Sequence, residues 1–230
     1  MARFGRARIL AGTVGYVLLF ATFLFLGAGT LHWRRGWILL AVLVVARVVA
    51  HVAIARANPD LLAERAKLPI QRGQPLADRV LLAAFMASVA LLVAFTAADV
   101  WRWHLLPQPT RTLAAFGLLT YLAGWWLVTA ALRANAFAVT VVRHQHDRGH
   151  AVADRGPYTV VRHPMYSGLV LHHLGIPLWL GSTAGVLFSL VPIGILVVRI
   201  VFEERLLRRT LAGYEDFRRR VRYRLIPGLW

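Results

Sequence analysis

Long apolar runs alternate with polar segments along the chain. Four runs approach the roughly 20 apolar residues that a helix needs to cross a bilayer, and they are Ile9–Leu31, Trp37–Ala55, Val80–Ala98 and Leu113–Leu132. A fifth region, Leu169–Val201, is too long for one crossing and breaks at Gly181-Ser182-Thr183. It therefore predicts two helices in a tight hairpin. The first of these, residues 169–181, is short, so the sequence leaves open whether it crosses fully.

This pattern predicts an all-α fold, a polytopic membrane bundle of five to six transmembrane helices. Because the chain has only 230 residues and 58% of them are hydrophobic, we expect a single domain over residues 1–230. Residues 1–132 would form the four N-terminal spans. Residues 133–230 would form a polar loop, the helical hairpin and a C-terminal tail.

The polar segments carry signals of their own. The segment Leu61–Lys67 is predicted to form a short interfacial helix, with Leu61, Leu62 and Leu68 facing lipid. The longest polar segment, Arg133–Ser167, contains several aromatic residues, which predicts a loop folded against the bundle. The tail segment Tyr214–Arg224 predicts an amphipathic surface helix, because arginines can keep their charges in water above buried apolar groups.

The net charge of +17 is distributed as in a membrane protein. If the N-terminus is cytoplasmic and the chain crosses six times, the outer side holds only Arg34, Arg35, Arg102 and Arg111. Lys and Arg in short loops set orientation in this way, so we expect both termini and the polar loop in the cytoplasm. Membrane topology and attraction to anionic lipids explain the charge, and no nucleic-acid partner is predicted. The single lysine beside many arginines is typical of GC-rich bacteria, so a bacterial inner membrane is expected.

Two basic residues, Arg47 and Arg199, fall inside apolar spans. Ionisable side chains at this depth are costly and mark functional sites by default. Glu203 lies four residues after Arg199, so the two share a helix face and are expected to interact. His51 follows Arg47 at the same spacing but offers no compensating charge, and two roles stay open for Arg47: reaching an acceptor headgroup or bonding a backbone carbonyl. Asp99, after the third span, is expected to be solvated.

The loop Gly156–Gly168, which enters the hairpin, concentrates polar and aromatic residues. Pro164 suits the first position of the next helix, whose free N–H groups can hold a carboxylate or phosphate. Tyr158 and Tyr166 can flank a planar ring or a cation. These features suit a nucleoside ligand with an amino-acid tail and a positively charged sulfur, because such a ligand contains a carboxylate, a planar ring and a cation.

The two segments together resemble a known family. The loop reads Gly-Pro-Tyr-x-x-x-Arg-His-Pro-x-Tyr-x-Gly, and Arg-x-x-x-Glu-Glu-x-x-Leu begins after the apolar hairpin at Arg199. This pattern resembles the isoprenylcysteine carboxyl methyltransferase family. The family belongs to a wider group of integral-membrane, S-adenosylmethionine-dependent methyltransferases, with phospholipid methyltransferases as relatives. The resemblance is strong from about Asn135 to Pro227 and weak upstream, where only the helical hairpins agree.

The resemblance implies S-adenosyl-L-methionine as the cofactor. The residues that it implies for cofactor binding are Arg143, His150, Ala151, Val152, Ala153, Tyr158, His163, Pro164, Met165, Tyr166 and Glu203. Arg143 departs from the glutamine that the family often has there. Arg199 would bind the methyl acceptor, and Arg199 and Glu203 form the implied catalytic pair. The cofactor would arrive from the cytoplasm, and a lipidic or prenylated acceptor would enter sideways from the bilayer.

Methyl transfer from a sulfonium is an in-line displacement, to which positioning can contribute roughly 7–11 kcal/mol. A carboxylate acceptor on a prenylcysteine-like or isoprenoid-like substrate needs no general base, and the planar fork of Arg199 can orient it. This O-methylation is the leading prediction. The alternative is N-methylation of a phospholipid amine, for which His163 or Glu204 would be the base.

Two other functions stay open on weaker grounds. A sterol-reductase-like enzyme would bind the 2'-phosphate of NADPH through Arg143, Arg148 and Arg155. A transporter or scaffold would be supported by inverted repeats, and the sequence shows none.

The remaining histidines and glycines give predictions about metal binding and helix contacts. No metal site is predicted, because His144, His146 and His150 lack a nearby cysteine or paired carboxylates. His172 and His173 could line an acceptor path or connect helices. Close helix contacts are predicted at Gly124, Gly175 and Gly194. The identity of the acceptor and the oligomeric state are left open.

Overall fold

The computed structural model describes residues 2–68, 70–71, 73–142 and 148–230, with side chains from residue 7 onward. Over this part of the chain the fold is all-helical. Its α-helices are α1 (Ala2–Ala28), α2 (Arg34–Ala57), α3 (Pro59–Arg65), α4 (Leu76–Ala98), α5 (Arg111–Ala134), α6 (Pro164–Leu180), α7 (Thr183–Phe188), α8 (Leu190–Thr210) and α9 (Tyr214–Arg220). A π-helical turn, Asp99–Trp103, extends α4, and a 3-10 turn, Gly156–Thr159, precedes α6.

Within the described residues, five helical segments are long and apolar enough to cross a membrane. They are Ala7–Ala28, Arg34–Ala57, Leu76–Trp103, Arg111–Ala134 and Thr183–Thr210, the last of which joins α7 to α8. Helix α6 has 17 residues and is about 25 Å long, at about 1.5 Å per residue, which is short of the roughly 30 Å hydrocarbon core. The predicted all-α membrane bundle is confirmed, and the protein is an integral membrane protein.

The break between α6 and α7 lies where the sequence predicts it. Gly181 adopts a left-handed conformation with a φ of 101°, which glycine reaches without steric cost. Ser182 caps α7 by accepting a hydrogen bond from the Gly185 N–H at 2.7 Å. Its hydroxyl donates to the Asp99 carboxylate at 2.6 Å. Asp99 is only 3% exposed, so the expectation that it is solvated is wrong: its carboxylate connects the end of α4 to the hairpin.

Helices α5 and α6 pack against each other through glycines. A Cβ added at Gly124 would lie 2.6 Å from the carbonyl oxygen of Gly168, and one at Gly175 would lie 2.7 Å from that of Gly117. Small residues allow two backbones to approach this closely, so the predicted contacts at Gly124 and Gly175 are confirmed. The prediction for Gly194 is wrong, because an added Cβ there would meet nothing within 4 Å.

The polar parts of the chain gather at one end of the bundle, which we call the site end. It comprises α3, the loop between α5 and α6, the end of α8 and the residues from α9 onward. The short helix α3 forms where it was predicted, but Leu61 is fully buried and Leu62 is 9% exposed. Both leucines pack in an apolar cluster with residues of α2, α5 and the loop. The prediction that these two leucines face lipid is therefore wrong, because α3 folds back onto the bundle, whereas Leu68 is exposed.

The tail begins with an amphipathic helix, as predicted, whose apolar side packs against the loop. Helix α9 ends at Arg220, and the chain then continues in an extended form. Phe217 is 2% exposed and belongs to a buried cluster that includes Tyr158. The Arg162 N–H donates to the Tyr223 carbonyl at 2.9 Å. The tail and the loop thus form one wall of the site end.

Candidate functional site

A cavity opens at the site end between the loop, the start of α6, the end of α8 and the tail. Its empty space is about 810 Å³, which includes space open to solvent. Most of its wall consists of apolar and aromatic side chains, among them Phe137, Tyr214 and Phe217. A mainly apolar wall with a few placed polar groups is typical of small-molecule sites.

Nine of the residues that the family resemblance implies for cofactor binding line this one cavity. They are His150, Ala151, Val152, Ala153, Tyr158, His163, Met165, Tyr166 and Glu203. Pro164 is absent from the lining, because it is buried at the first position of α6. Arg143 lies outside the described residues, as do His144 and His146. That these residues bind a cofactor stays a prediction.

Tyr166 and Glu203 join α6 to α8 at the cavity wall. The Tyr166 hydroxyl donates to Glu203 Oε2 at 2.6 Å. Tyr166 is 3% exposed, whereas Glu203 is half-buried. The other oxygen of Glu203 has no hydrogen-bond donor among the described residues. This carboxylate can therefore accept a hydrogen bond from a ligand or stabilise a nearby positive charge.

Glu204, the next residue, has a different set of partners. Its Oε1 accepts from Arg162 Nε at 2.7 Å and lies 3.2 Å from His163 Nε2. Its Oε2 accepts from Arg224 Nε at 2.9 Å. Successive residues of a helix point about 100° apart, so Glu203 lines the cavity while Glu204 connects α8 to the loop and the tail.

Arg199 interacts electrostatically with Glu203, as expected, but its hydrogen-bonded ion pair is with Asp78. Its Nε donates to Asp78 Oδ1 at 2.9 Å, and its Nη2 donates to the Thr140 carbonyl at 2.7 Å. The guanidinium lies 5.9 Å from the centre of the Tyr166 ring, and Arg199 is not part of the cavity wall. The sequence does not predict this direct partner, because packing of α4 against α8 brings a buried counter-charge to Arg199. Its role in acceptor binding stays a prediction.

Two residues of the site end, Asp78 and Arg65, were missed by the sequence analysis. Asp78 is 3% exposed and also accepts from the Val142 N–H at 2.9 Å. Arg65 Nη1 donates to the Ala138 carbonyl at 2.6 Å and lies 3.9 Å from Met165 Sδ. Burial lowers the pKa of Arg65 to about 10, so it stays charged at neutral pH. No carboxylate among the described residues pairs with it.

The sequence holds a signal for Asp78 but none for Arg65. Asp78 is an acidic residue at the start of an apolar span, close to the depth at which Arg199 needs a counter-charge. Arg65 is one of several arginines in the segment Arg56–Arg79. Its spacing from other polar residues does not distinguish it from them.

Two buried tyrosines contribute hydroxyl groups near the cavity. Tyr158 Oη accepts from Asn135 Nδ2 at 3.2 Å. Tyr214 Oη lies near Glu204 without a well-formed hydrogen bond among the described residues. Burial raises the pKa of both Tyr158 and Tyr214. Both hydroxyls therefore stay protonated at neutral pH and can donate hydrogen bonds.

The cavity wall carries groups of the kind that can hold a nucleoside with a positively charged sulfur. Phe137 and His150 present rings 4.9 Å apart, and Tyr158 and Tyr166 add further ring faces for a planar base or a cation. Glu203 supplies the negative charge. Among the described residues, no three His, Cys, Asp or Glu side chains are grouped to hold a metal ion.

A partly open cavity lies at one end of the polytopic helical bundle, so the class is that of a helical integral membrane protein with a candidate small-molecule site. Residues 112–213, from α5 to the residue before α9, match the model of the phospholipid methyltransferase family. No curated protein matches the chain. The phospholipid methyltransferase family is related to the isoprenylcysteine carboxyl methyltransferases, so the resemblance carried by the two sequence motifs is confirmed. The match supports an integral-membrane methyltransferase that acts on lipid-like substrates, and a methyltransferase of this family implies S-adenosylmethionine as methyl donor.

Proposed function

We propose that the protein transfers a methyl group from S-adenosyl-L-methionine, bound in the cavity at the site end, to a lipidic acceptor from the bilayer. The observation that carries the proposal is the meeting of two distant motifs. The loop before α6 contributes Tyr158 and Tyr166 to the cavity wall, and α8 contributes Glu203. The hydrogen bond between Tyr166 and Glu203 joins the two motifs directly.

In this proposal the cofactor, when bound, supplies an electrophilic methyl on a positive sulfur. Phe137 and Tyr158 hold the planar base, and the negative charge of Glu203 stabilises the positive end of the ligand. Tyr166 keeps that carboxylate in place through its hydroxyl. The chain's main contribution is thus alignment of the reactants, which can be worth roughly 7–11 kcal/mol.

We propose a carboxylate on a prenylcysteine-like or isoprenoid-like lipid as the acceptor. Arg65 supports this choice, because it is a half-buried cation without a carboxylate partner among the described residues. It contacts Ala138 and Met165, and both of these line the cavity. A guanidinium beside the reaction site attracts and orients an anionic acceptor. An ionised carboxylate then needs no base. Arg199 lies outside the cavity wall, 5.9 Å from the centre of the Tyr166 ring, and would hold that ring in position.

A phospholipid amine is the second candidate acceptor, and it is favoured by the matched family. An amine must lose a proton, for which His163 is suited by position. It lines the cavity, and its Nε2 faces the Glu204 carboxylate at 3.2 Å. That contact would orient the ring so that the other nitrogen could accept a proton. Glu204 itself is a poorer base, because two arginines already bind it.

Cofactor binding is tested by calorimetry on purified protein with S-adenosylhomocysteine and with NADPH. We expect S-adenosylhomocysteine to bind and the variant Glu203→Gln to bind it roughly 10- to 100-fold more weakly, because a charged hydrogen-bond partner is lost. The matched control is Glu215→Gln, whose side chain lies on the solvent-facing side of α9, and this variant should bind normally. Tight NADPH binding without S-adenosylhomocysteine binding would favour a reductase and reject the methyltransferase.

The acceptor is tested by methyl transfer from radiolabelled S-adenosylmethionine into a membrane lipid extract. A methyl ester releases labelled methanol in mild base, whereas an N-methyl amine does not. With a carboxylate acceptor, Arg65→Gln should raise KM for the lipid about 10-fold or more. His163→Asn should then retain most of the kcat of the folded protein when S-adenosylmethionine is saturating. A base-stable label that disappears in His163→Asn would establish the amine instead.

A further inference from the structure

Arg47 lies about halfway along α2, deep within a membrane-spanning segment. Its guanidinium lies 4.3 Å from the centre of the Tyr16 ring on α1. Its Nε is buried without a hydrogen-bond partner among the described residues, and no carboxylate among them forms an ion pair with it. A cation at this depth normally has a counter-charge or marks a binding path. The described protein groups do not provide that counter-charge.

Two more unpaired polar atoms lie on neighbouring helices. His172 of α6 is 8% exposed, and its Nε2 has no hydrogen-bond partner among the described residues. Its ring lies 5.0 Å from the Tyr121 ring and 5.1 Å from the Trp125 ring, both on α5. Trp125 Nε1 lies near the Tyr121 hydroxyl but makes no well-formed hydrogen bond. Tyr121 in turn is close enough to Arg47 to interact with it electrostatically.

Tyr16, Arg47, Tyr121, Trp125 and His172 together form what we call the intramembrane polar cluster. Guanidinium, indole and phenol groups all donate hydrogen bonds, so the cluster is rich in donors, and its charge is positive. A carboxylate or phosphate accepts several hydrogen bonds and supplies the missing negative charge. A neutral acceptor such as water would satisfy the donors but would leave Arg47 uncompensated within the bilayer.

The cluster is open toward the surrounding lipid. Tyr16 is 39% exposed and Arg47 is half-buried, although both lie in membrane-spanning helices. Val44 and Val48, which flank Arg47 on α2, are exposed as well. A ligand that reaches this place from the bilayer meets apolar surface around a cationic centre, and an amphiphile with an anionic head matches that arrangement.

We propose that the intramembrane polar cluster binds the carboxylate or phosphate of an anionic lipid, whose hydrocarbon chain lies against α1 and α2. None of the five residues lines the cavity at the site end. The inference therefore goes beyond the proposed function and holds whether or not the protein transfers a methyl group.

Quenching of tryptophan fluorescence by brominated lipids tests this site, because Trp125 belongs to the cluster. Protein in neutral micelles is titrated with dibromostearate, brominated phosphatidylglycerol and brominated phosphatidylcholine. The contribution of Trp125 is obtained by subtracting the signal of Trp125→Phe. We expect at least one of the two anionic lipids to quench this contribution with a Kd about 10-fold or more below that of phosphatidylcholine.

The variants assign the binding to Arg47. Arg47→Gln should abolish the preference for anionic lipid, and Arg47→Lys should keep part of it. Arg56→Gln, at the exposed end of the same helix, is the matched control and should behave like the unmodified protein. Because Arg47→Gln could fail to fold, His172→Phe serves as a second variant. It removes the unpaired ring nitrogen and should weaken anionic-lipid binding about 3-fold or more.

The brominated lipids also distinguish the two possible anionic head groups, a carboxylate and a phosphate. A preference for dibromostearate identifies a carboxylate site, and a preference for phosphatidylglycerol identifies a phosphate site. Equal quenching by all three lipids would overturn the proposal. So would an undiminished anionic preference in a folded Arg47→Gln or, where that variant does not fold, in His172→Phe.

Discussion

At the scale of single residues, two buried carboxylates of the site end, Glu204 and Asp78, are paired with arginines in two separate sets. Glu204 binds Arg162 and Arg224 and lies beside His163. Asp78 binds Arg199. Buried ion pairs add little net stability, but removing one partner leaves an uncompensated buried charge. We therefore expect these pairs to tolerate single substitutions poorly.

Glu204→Gln tests the first set. It leaves Arg162, which is only 6% exposed, without its counter-charge, so unfolding should become easier by about 3 kcal/mol. The measurement is thermal or denaturant unfolding of the protein in detergent. Glu203→Gln is the matched control, because Glu203 is half-buried and bonded to a neutral tyrosine. Equal stability of the two variants would show that Glu204 does not hold the tail to the loop.

Glu203 and Arg199 show which properties of single residues can be predicted from the sequence and which cannot. The motif predicts that Glu203 belongs to a site, and the structure places it in the cavity wall. The spacing rule for Arg199 and Glu203 is a local rule about one helix. It does not identify the direct partner of Arg199, because α4, more than a hundred residues earlier in the chain, brings Asp78 to it. Helical periodicity contains no information about which other helix will pack there.

At the scale of elements, the contact between α5 and α6 determines the position of the loop that begins the site. The loop connects these two helices, so their close packing holds both of its ends. Gly117 and Gly124 on α5 are two turns apart, as are Gly168 and Gly175 on α6. One glycine face of each helix therefore packs against the other.

Gly124→Ala tests this contact. The added Cβ would lie 2.6 Å from the Gly168 carbonyl oxygen, a backbone atom that can move only if the helices separate. We expect a loss of about 1–3 kcal/mol of stability, as for overpacked cores. The control is Gly194→Ala on α8, where an added Cβ meets nothing within 4 Å; it should be neutral or slightly stabilising. A neutral Gly124→Ala would contradict the close contact.

At the scale of the whole molecule, arginines concentrate at the site end. The positive-inside rule then predicts that the cavity faces the cytoplasm, where S-adenosylmethionine would be available. The opposite end carries the break between α6 and α7 and the turn after α4. Which end faces which compartment is a property of the whole chain, because all the loops contribute to it.

The orientation can be measured by cysteine labelling, since the chain has no cysteine of its own. Arg155→Cys places a thiol on an exposed residue of the site end, and Gln108→Cys places one on an exposed residue of the opposite end. In intact cells of a bacterial host, a membrane-impermeant maleimide should label Gln108→Cys at once. It should label Arg155→Cys only after permeabilisation. The reverse pattern would place the cavity outside the cytoplasm.

Sequence alone determined the membrane-spanning segments, the break at Gly181 and the presence of the two motifs. These features depend on apolar length, backbone preference and residue type, all of which are local. Tertiary structure alone decided that Asp78 is the partner of Arg199, that Asp99 is buried and that Arg65 lies beside the cavity. These depend on which surfaces of distant helices pack together, and in a membrane that choice is made by close steric fit and by the cost of an unpaired charge.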